Sequence, residues 1–426
     1  MRIGYGEQII TPLRGSHKLA GYIKRKKPFS CILDDIRIKT LVIEDVSGKT
    51  LVISSADLLA IDEMMFSSMS MLVKEITGQN HFIASATHTH SAPGTLFRGV
   101  VLQGLQGQEF DEEYFNYFLD QFRVSLESAV NSMGSAECYT TTVEMDKGFA
   151  TNRIDPDIPI DNKVVLLKCI SEKIKAGIVN YGVHPTVLGP DNMCISRDVA
   201  GAIEDLLRKE TGINYVFING AAADISTRFT RRNQTYDEVL RLATLFVSKT
   251  LEGASMGRWC RLKEQLTLFK KESLKLDVDT AKFEKMVKEY SLKLGSIELQ
   301  NMPKHERVVE SIREGIEAGI QMLNAIKNIS KIDIEIPAYL LGGILGIIGL
   351  PGEALSRVSS LCREIVGSYL IFTGYSNGYY GYFSDREEPE TYEDLMTIFS
   401  GKSIKELLDA IRKQCLWLRR AREQFS

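Results

Sequence analysis

Strand-like and helix-like runs alternate along this chain from Thr40 to Gly253, and that alternation most narrows the fold. "TLVIEDVSGKTLVISSADLLAI" holds two β-branched runs around Ser47-Gly48, which predicts a hairpin. "IDEMMFSSMSMLVKEITG" follows with helical spacing and stops at Gly78. "HFIASATHTH" predicts the next strand, and "EEYFNYFLDQFRVSLESAVNSM" an amphipathic helix. "KVVLLKCI" and "IKAGIVNYGVHPTV" pair around Lys173. "RDVAGAIEDLLRKETG" predicts a helix, "NYVFINGAAADIS" a strand entering a small-residue loop, and "DEVLRLATLFVSKTLEG" a further helix. The expected class is α/β, a mixed β-sheet core flanked by helices. With 426 residues and no low-complexity tract, residues 1–426 are read as a single domain.

Two segments stand out from this pattern. "AYLLGGILGIIGL" is apolar, but it is too short and too broken by glycine to span a bilayer. It predicts two buried strands turning at Gly342-Gly343. Residues 279–329 predict an inserted helical hairpin. Apolar stripes run through Phe283, Met286, Val287, Tyr290 and Leu294, and then through Ile312, Ile316, Leu323 and Ile326. Two readings stand: a packing element on the sheet, or a lid or dimerisation arm joining two copies of the chain.

Charge and cysteine usage exclude some functions. Lys+Arg 52 against Asp+Glu 55 gives a net charge of −3, so no global basic field points to nucleic acid. The 7 cysteines are scattered without a CxxC, and they are read as reduced thiols of a cytoplasmic protein. The N-terminus "MRIGYGEQIITPLRG" lacks the apolar run of a secretory signal.

Chemistry enters at "SATHTHSAPGT". The chain has only 6 histidines, and His88 and His90 stand one residue apart at the end of the expected strand. Alternation along a strand would aim both side chains at one point. The plainer alternative is local hydrogen bonding. Ser91-Ala92-Pro93 after the pair does not match a metallo-β-lactamase, and the loop lacks the glutamate of a cupin. An amidohydrolase barrel needs several later histidines, and only His184 and His305 follow. His305 lies in the charged hairpin and is read as solvated. His184 ends a strand before Pro185. Glu353 follows Pro351-Gly352 and opens a helix, where a carboxylate also serves simply as a dipole partner. Two histidines and a carboxylate from three strand ends match a catalytic zinc ligand set.

These segments together resemble the neutral/alkaline non-lysosomal ceramidase family. "SATHTHSAPG" resembles its histidine signature, and "SSADLLAI", "TNRIDPD", "NYGVHPTVL", "INGAAADIS", "GLPGEAL" and "GYSNGYYGYFSDREEPETYE" follow in the family's order along nearly the whole chain. The resemblance implies the family's catalytic-domain fold without its C-terminal immunoglobulin-like domain. It implies a Zn²⁺ cofactor held by His88, His184, Glu353 and Tyr382. It places His90 and Arg153 on the scissile amide or product carboxylate, Ser226 in hydrolysis, and Tyr392 in the site. The implied activity is hydrolysis of a lipid-like or small-molecule N-acyl amide, with either Ser226 or metal-activated water attacking.

The serine loop departs from the family. Ala223-Asp224 replaces Gly-Asp, and Thr227-Arg228 follows the serine, with Arg231 and Arg232 close behind. Those arginines support a second reading, a zinc hydrolase of a small anionic amide or ester. The altered loop supports a third, a binding protein without turnover. Asp57 and Asp224 are expected either to orient the histidines or to serve as turn and cap residues.

Overall fold

The computed structural model describes residues 1–14, 16–106, 108–264, 267–294, 306–385 and 391–424. Asp45 makes the tight turn of the expected hairpin. Its Oδ1 accepts from Ser47 N at 2.8 Å and Lys49 N at 3.1 Å, and Gly48 takes a φ of 80°. The strands Arg37–Glu44 and Thr50–Ala56 therefore pair antiparallel, as expected from the sequence. Every residue of Thr50–Ala56 is buried, so both faces of this strand are covered.

Asp62 then caps the helix Glu63–Thr77 by accepting from Met65 N at 2.8 Å. Gly78, at φ 70°, ends it. The helix carries the chain to Phe82–Ala86, which pairs parallel with Thr50–Ala56. This crossover delivers the histidine segment to a strand end.

The main sheet runs in the order Asn214–Asn219, Lys175–Tyr181, Lys163–Ser171, Gly134–Glu144, Arg2–Ile9, Arg37–Glu44, Thr50–Ala56 and Phe82–Ala86. Both edge pairs are parallel and the inner pairs antiparallel. The sheet is therefore mixed, as expected. A second sheet joins Thr267–Asp277, Lys331–Leu341, Leu345–Gly349 and Leu370–Thr373. Gly342 and Gly343 make its tight turn at φ 57° and 69°, a conformation that favours glycine. Among the described residues no helix is long and apolar enough to cross a membrane.

The hairpin forms as Thr280–Leu294 and Glu306–Ile326. Phe283, Met286, Val287, Ile316 and Ile326 are all buried within this chain's own core. The described part of both stripes thus packs inward. Pro303 and His305, in the connector, lie outside the described residues, as do the side chains of Tyr290, Leu294 and Ile312.

The reading of seven reduced cysteines is corrected. Cys31 bonds Cys194, and Cys138 bonds Cys169. The pairs are 163 and 31 residues apart in sequence, so spacing does not reveal them. Strand register makes them: Cys138 faces Cys169 across an antiparallel pair, and Cys31 faces Cys194 across a short parallel one. Cys260, Cys362 and Cys415 remain free. Thiol titration of the unreduced, denatured protein should therefore read close to three groups, rising to seven after reduction. Seven before reduction would restore the original reading.

Candidate active site

His88 comes one residue after the end of the strand Phe82–Ala86, beyond Thr87. Its backbone takes a φ of 68°, so strand alternation does not aim the two histidines. They converge through a turn instead, with His90 Nε2 at 3.2 Å from His88 Nε2. The His88 backbone N–H donates to Leu58 O at 3.0 Å, and its ring Nδ1 meets Leu59 O at 2.7 Å. A carbonyl only accepts, so Nδ1 carries the proton and the Nε2 lone pair faces the site. His184 repeats the device, with Nδ1 at 2.7 Å from Ala222 O.

Backbone carbonyls thus orient both rings, and the orienting role considered for Asp57 and Asp224 is not theirs. Asp57 accepts from Arg37 N at 3.0 Å and Lys39 Nζ at 3.4 Å in a buried charge network. Asp224 accepts from Ser356 N at 2.7 Å and Ser356 Oγ at 2.9 Å, which caps the helix Ser356–Val366.

Glu353 and Tyr382 arrive together, because the short parallel pair Glu353–Ala354 and Tyr382–Phe383 sets them opposite each other. Glu353 Oε2 lies 3.3 Å from His184 Nε2, and its Oε1 lies 3.7 Å from His88 Nε2. Tyr382 Oη is 3.4 Å from His184 Nε2. Two ligands about 2.0–2.1 Å from one tetrahedral ion stand roughly 3.3 Å apart. The spacing and the mixed N/O donor set fit such an ion. The ring nitrogens of His88, His90 and His184 also lie within 4.8 Å of one another. Two donor sets therefore share His88 and His184.

Burial shapes the charge states. It pushes the His88 imidazole down to about 4, against the pull of Glu353, and holds His90 well below its ordinary range. Burial alone would raise Glu353, but His88, His184 and a hydrogen bond from Tyr379 bring it down to about 2. Neutral imidazoles and an ionised carboxylate are the states that metal binding requires.

Arg153 stands over this cluster. Its Nη1 is 3.3 Å from His184 Nε2, and its Nη2 donates to Tyr382 Oη at 3.5 Å. Its Nε forms a buried ion pair with Glu393. The guanidinium lies 5.1 Å from the Tyr392 ring centre, and Tyr392 meets Tyr382 edge-on at 5.5 Å. Gly315 of the hairpin passes so close that a Cβ there would sit 2.7 Å from the Tyr392 ring. The hairpin therefore supports a tyrosine of the site. Ser226 Oγ accepts from Arg228 N at 3.2 Å. His90, Arg153, His184, Ser226, Tyr382 and Tyr392 all line one cavity of about 370 Å³. Arg228 and Arg231 line it too, whereas Arg232 is exposed and not among the lining residues.

Sequence reasoning passed over several contributors. Tyr379 and Tyr375 donate to Glu353 at 2.6 and 3.2 Å. Their signal was visible as the five tyrosines between Tyr375 and Tyr392, which suggest an aromatic pocket. Glu393 sits beside Tyr392 in sequence, but nothing local marks it as a partner of Arg153. Buried Arg25 ties the His90 loop to its neighbour. It donates to the His90 carbonyl and to Gly189 O at 2.9 Å.

Two solved structures are similar over 98% of this chain. One is the neutral ceramidase of Pseudomonas aeruginosa, at TM-score 0.72 and 19% identity, with 74% of that chain covered. The other is a ceramidase complexed with C2, at TM-score 0.72 and 18% identity, with 75% covered. At such identity the likeness shows the fold, and it bears out the α/β expectation. No curated protein matches. The model of the neutral/alkaline non-lysosomal ceramidase N-terminal family matches residues 1–233, which include His88, His90, Arg153, His184 and Ser226. That is more than half of the 426 residues, and the chain belongs to the neutral/alkaline non-lysosomal ceramidase family.

Proposed function

We propose that this chain is a zinc-dependent hydrolase of N-acyl amides, with His88, His184, Glu353 and Tyr382 as the metal ligands. The observation that carries the reading is the set of contacts at 3.3–3.7 Å that joins these four donors beneath Arg153, with His184 and Tyr382 opening on the cavity. When bound there, the zinc ion would polarise the amide oxygen and make water acidic enough to attack at neutral pH.

The protein's own groups do the rest. Arg153 keeps its charge: burial works against it, but Glu393 and the other acidic groups around it hold its pKa well above the ordinary range. It faces the place where negative charge develops on the amide oxygen, which is where fixed cationic donors lower a barrier most. His90, neutral and next to His88, directs Nε2 toward the same place. Ser226 Oγ has no hydrogen bond to an imidazole or carboxylate among the described residues, which supports water over Ser226 as the nucleophile. Tyr392 forms the far wall and stacks beside Arg153.

The rest of this reading follows from packing. Residues 279–329 act as a supporting hairpin within one catalytic unit of residues 1–426, and any contact between copies of the chain would use its outward face, where Leu292 and Ile320 are exposed. The cytoplasmic expectation rested on reduced thiols; two disulfides support an oxidising compartment.

Elemental analysis of protein purified without added metal should find about one zinc per chain, and a panel of N-acyl amides should be cleaved and then protected by chelation. Metal-free protein that still cleaves amides would overturn the metal role. Tight zinc without turnover of any amide or ester would leave a binding protein.

A further inference from the structure

We infer that the substrate is compact and anionic, with a carboxylate or phosphate seated against Arg228 and Arg231; this rests on the amide-hydrolase reading above. The cavity over the histidines measures about 370 Å³, and none of its lining residues is Leu, Ile, Val, Met or Phe. A long alkyl chain gains its binding energy from apolar walls, about 0.8 kcal/mol per buried CH₂. This cavity has no aliphatic wall of that kind among its described residues; its apolar surface is limited to Pro190 and the rings of Tyr22, Tyr382 and Tyr392.

It offers cationic and amide groups instead. Arg153, Arg228 and Arg231 line it with Thr186, Asn233 and Gln234, and Asp191 is the one acidic side chain among the lining residues. Both loop arginines are held in place by backbone. Arg228 Nη1 donates to Arg153 O at 2.9 Å, and Arg231 Nη1 donates to Thr186 O. Burial first, and then the nearby charge of Arg153, lower Arg228 to about 10. A planar guanidinium matches a carboxylate or phosphate with paired donors. Arg228 stands in the serine loop at a position where the sequence departs from the family pattern, and Arg231 follows close behind it.

The test uses three amides sharing an N-hexanoyl group, built on glycine (carboxylate), on ethanolamine phosphate (phosphate) and on ethanolamine (neutral). The protein is used as purified, with its metal. At least one anionic amide should exceed the neutral one in kcat/KM by tenfold or more, about 1.4 kcal/mol, and the better anion identifies the group. In Arg231→Gln that advantage should shrink to within threefold through KM, while Arg231→Lys keeps most of it. A neutral amide cleaved as well as both anions, or an advantage unchanged in Arg231→Gln, overturns the inference and leaves the amidase reading intact. If nothing is cleaved, the amidase reading fails and calorimetric binding of N-hexanoylglycine against its neutral partner decides. Selective binding lost in Arg231→Gln upholds the inference, and equal binding overturns it.

Discussion

His184→Ala should lose metal and activity together. The Nε2 atom of His184 stands 3.3 Å from Glu353 and 3.4 Å from Tyr382, so it is the hub of the proposed ligand set. Loss of a residue that merely supports a ligand costs about 10–100-fold in metal affinity or activity; loss of the ligand itself should cost more. We expect zinc below a tenth of an ion per chain and kcat/KM lower by about 1,000-fold or more, roughly 4 kcal/mol of barrier. The fold should survive, because the loss is confined to the site: the hydrogen bond to Ala222 O, worth about 1 kcal/mol, the Nε2 contacts with Arg153, Tyr382 and Glu353, and one buried ring. His90→Ala separates the two donor sets. If Glu353 and Tyr382 complete the site, His90→Ala keeps its zinc and loses rate. If the three histidines hold the ion, His90→Ala loses both. Full zinc occupancy in His184→Ala would remove that residue from either set.

The sequence exposed these ligands unevenly, for physical reasons. Helix and strand boundaries were legible wherever a local signal made them, such as Gly78 at the end of one helix, or Gly342-Gly343 in one turn. The order of motifs along the chain gave the family, and the proposed ligand residues with it. What stayed hidden was whatever long-range register decides. Cys138 and Cys169 meet only because two strands align them, and Glu353 meets Tyr382 only through a two-residue parallel pair. The orienting partners of His88 and His184 were hidden for another reason: they are backbone carbonyls, and any residue supplies one. Reasoning from side-chain type therefore turned to Asp57 and Asp224, which serve elsewhere. His88 shows the limit of periodicity itself. Alternation gave the right convergence by the wrong route, since a left-handed turn and not a strand brings the two rings together.

Glu393→Ala should be among the most destabilising single changes in the site, although Glu393 touches neither the histidines nor Ser226 in the hydrogen bonds described. Its carboxylate pairs with Arg153, and the two side chains are only 1% and 9% exposed. Removing one member of a buried ion pair strands the other charge, at a cost of about 3–5 kcal/mol. The melting temperature should fall by several degrees. Activity should fall as well, because the guanidinium is free to leave the position between His184 Nε2 and Tyr382 Oη. Glu393→Gln keeps an acceptor for the Nε–H and should lose less on both counts. The informative variant is the double change Glu393→Ala with Arg153→Met. Replacing both partners by apolar groups removes the stranded charge, so stability should return toward wild type. Activity should not return, because the cation proposed to face the amide oxygen is gone. If the double variant recovers activity along with stability, then Arg153 acts only through packing, and its place in the chemistry must be given up.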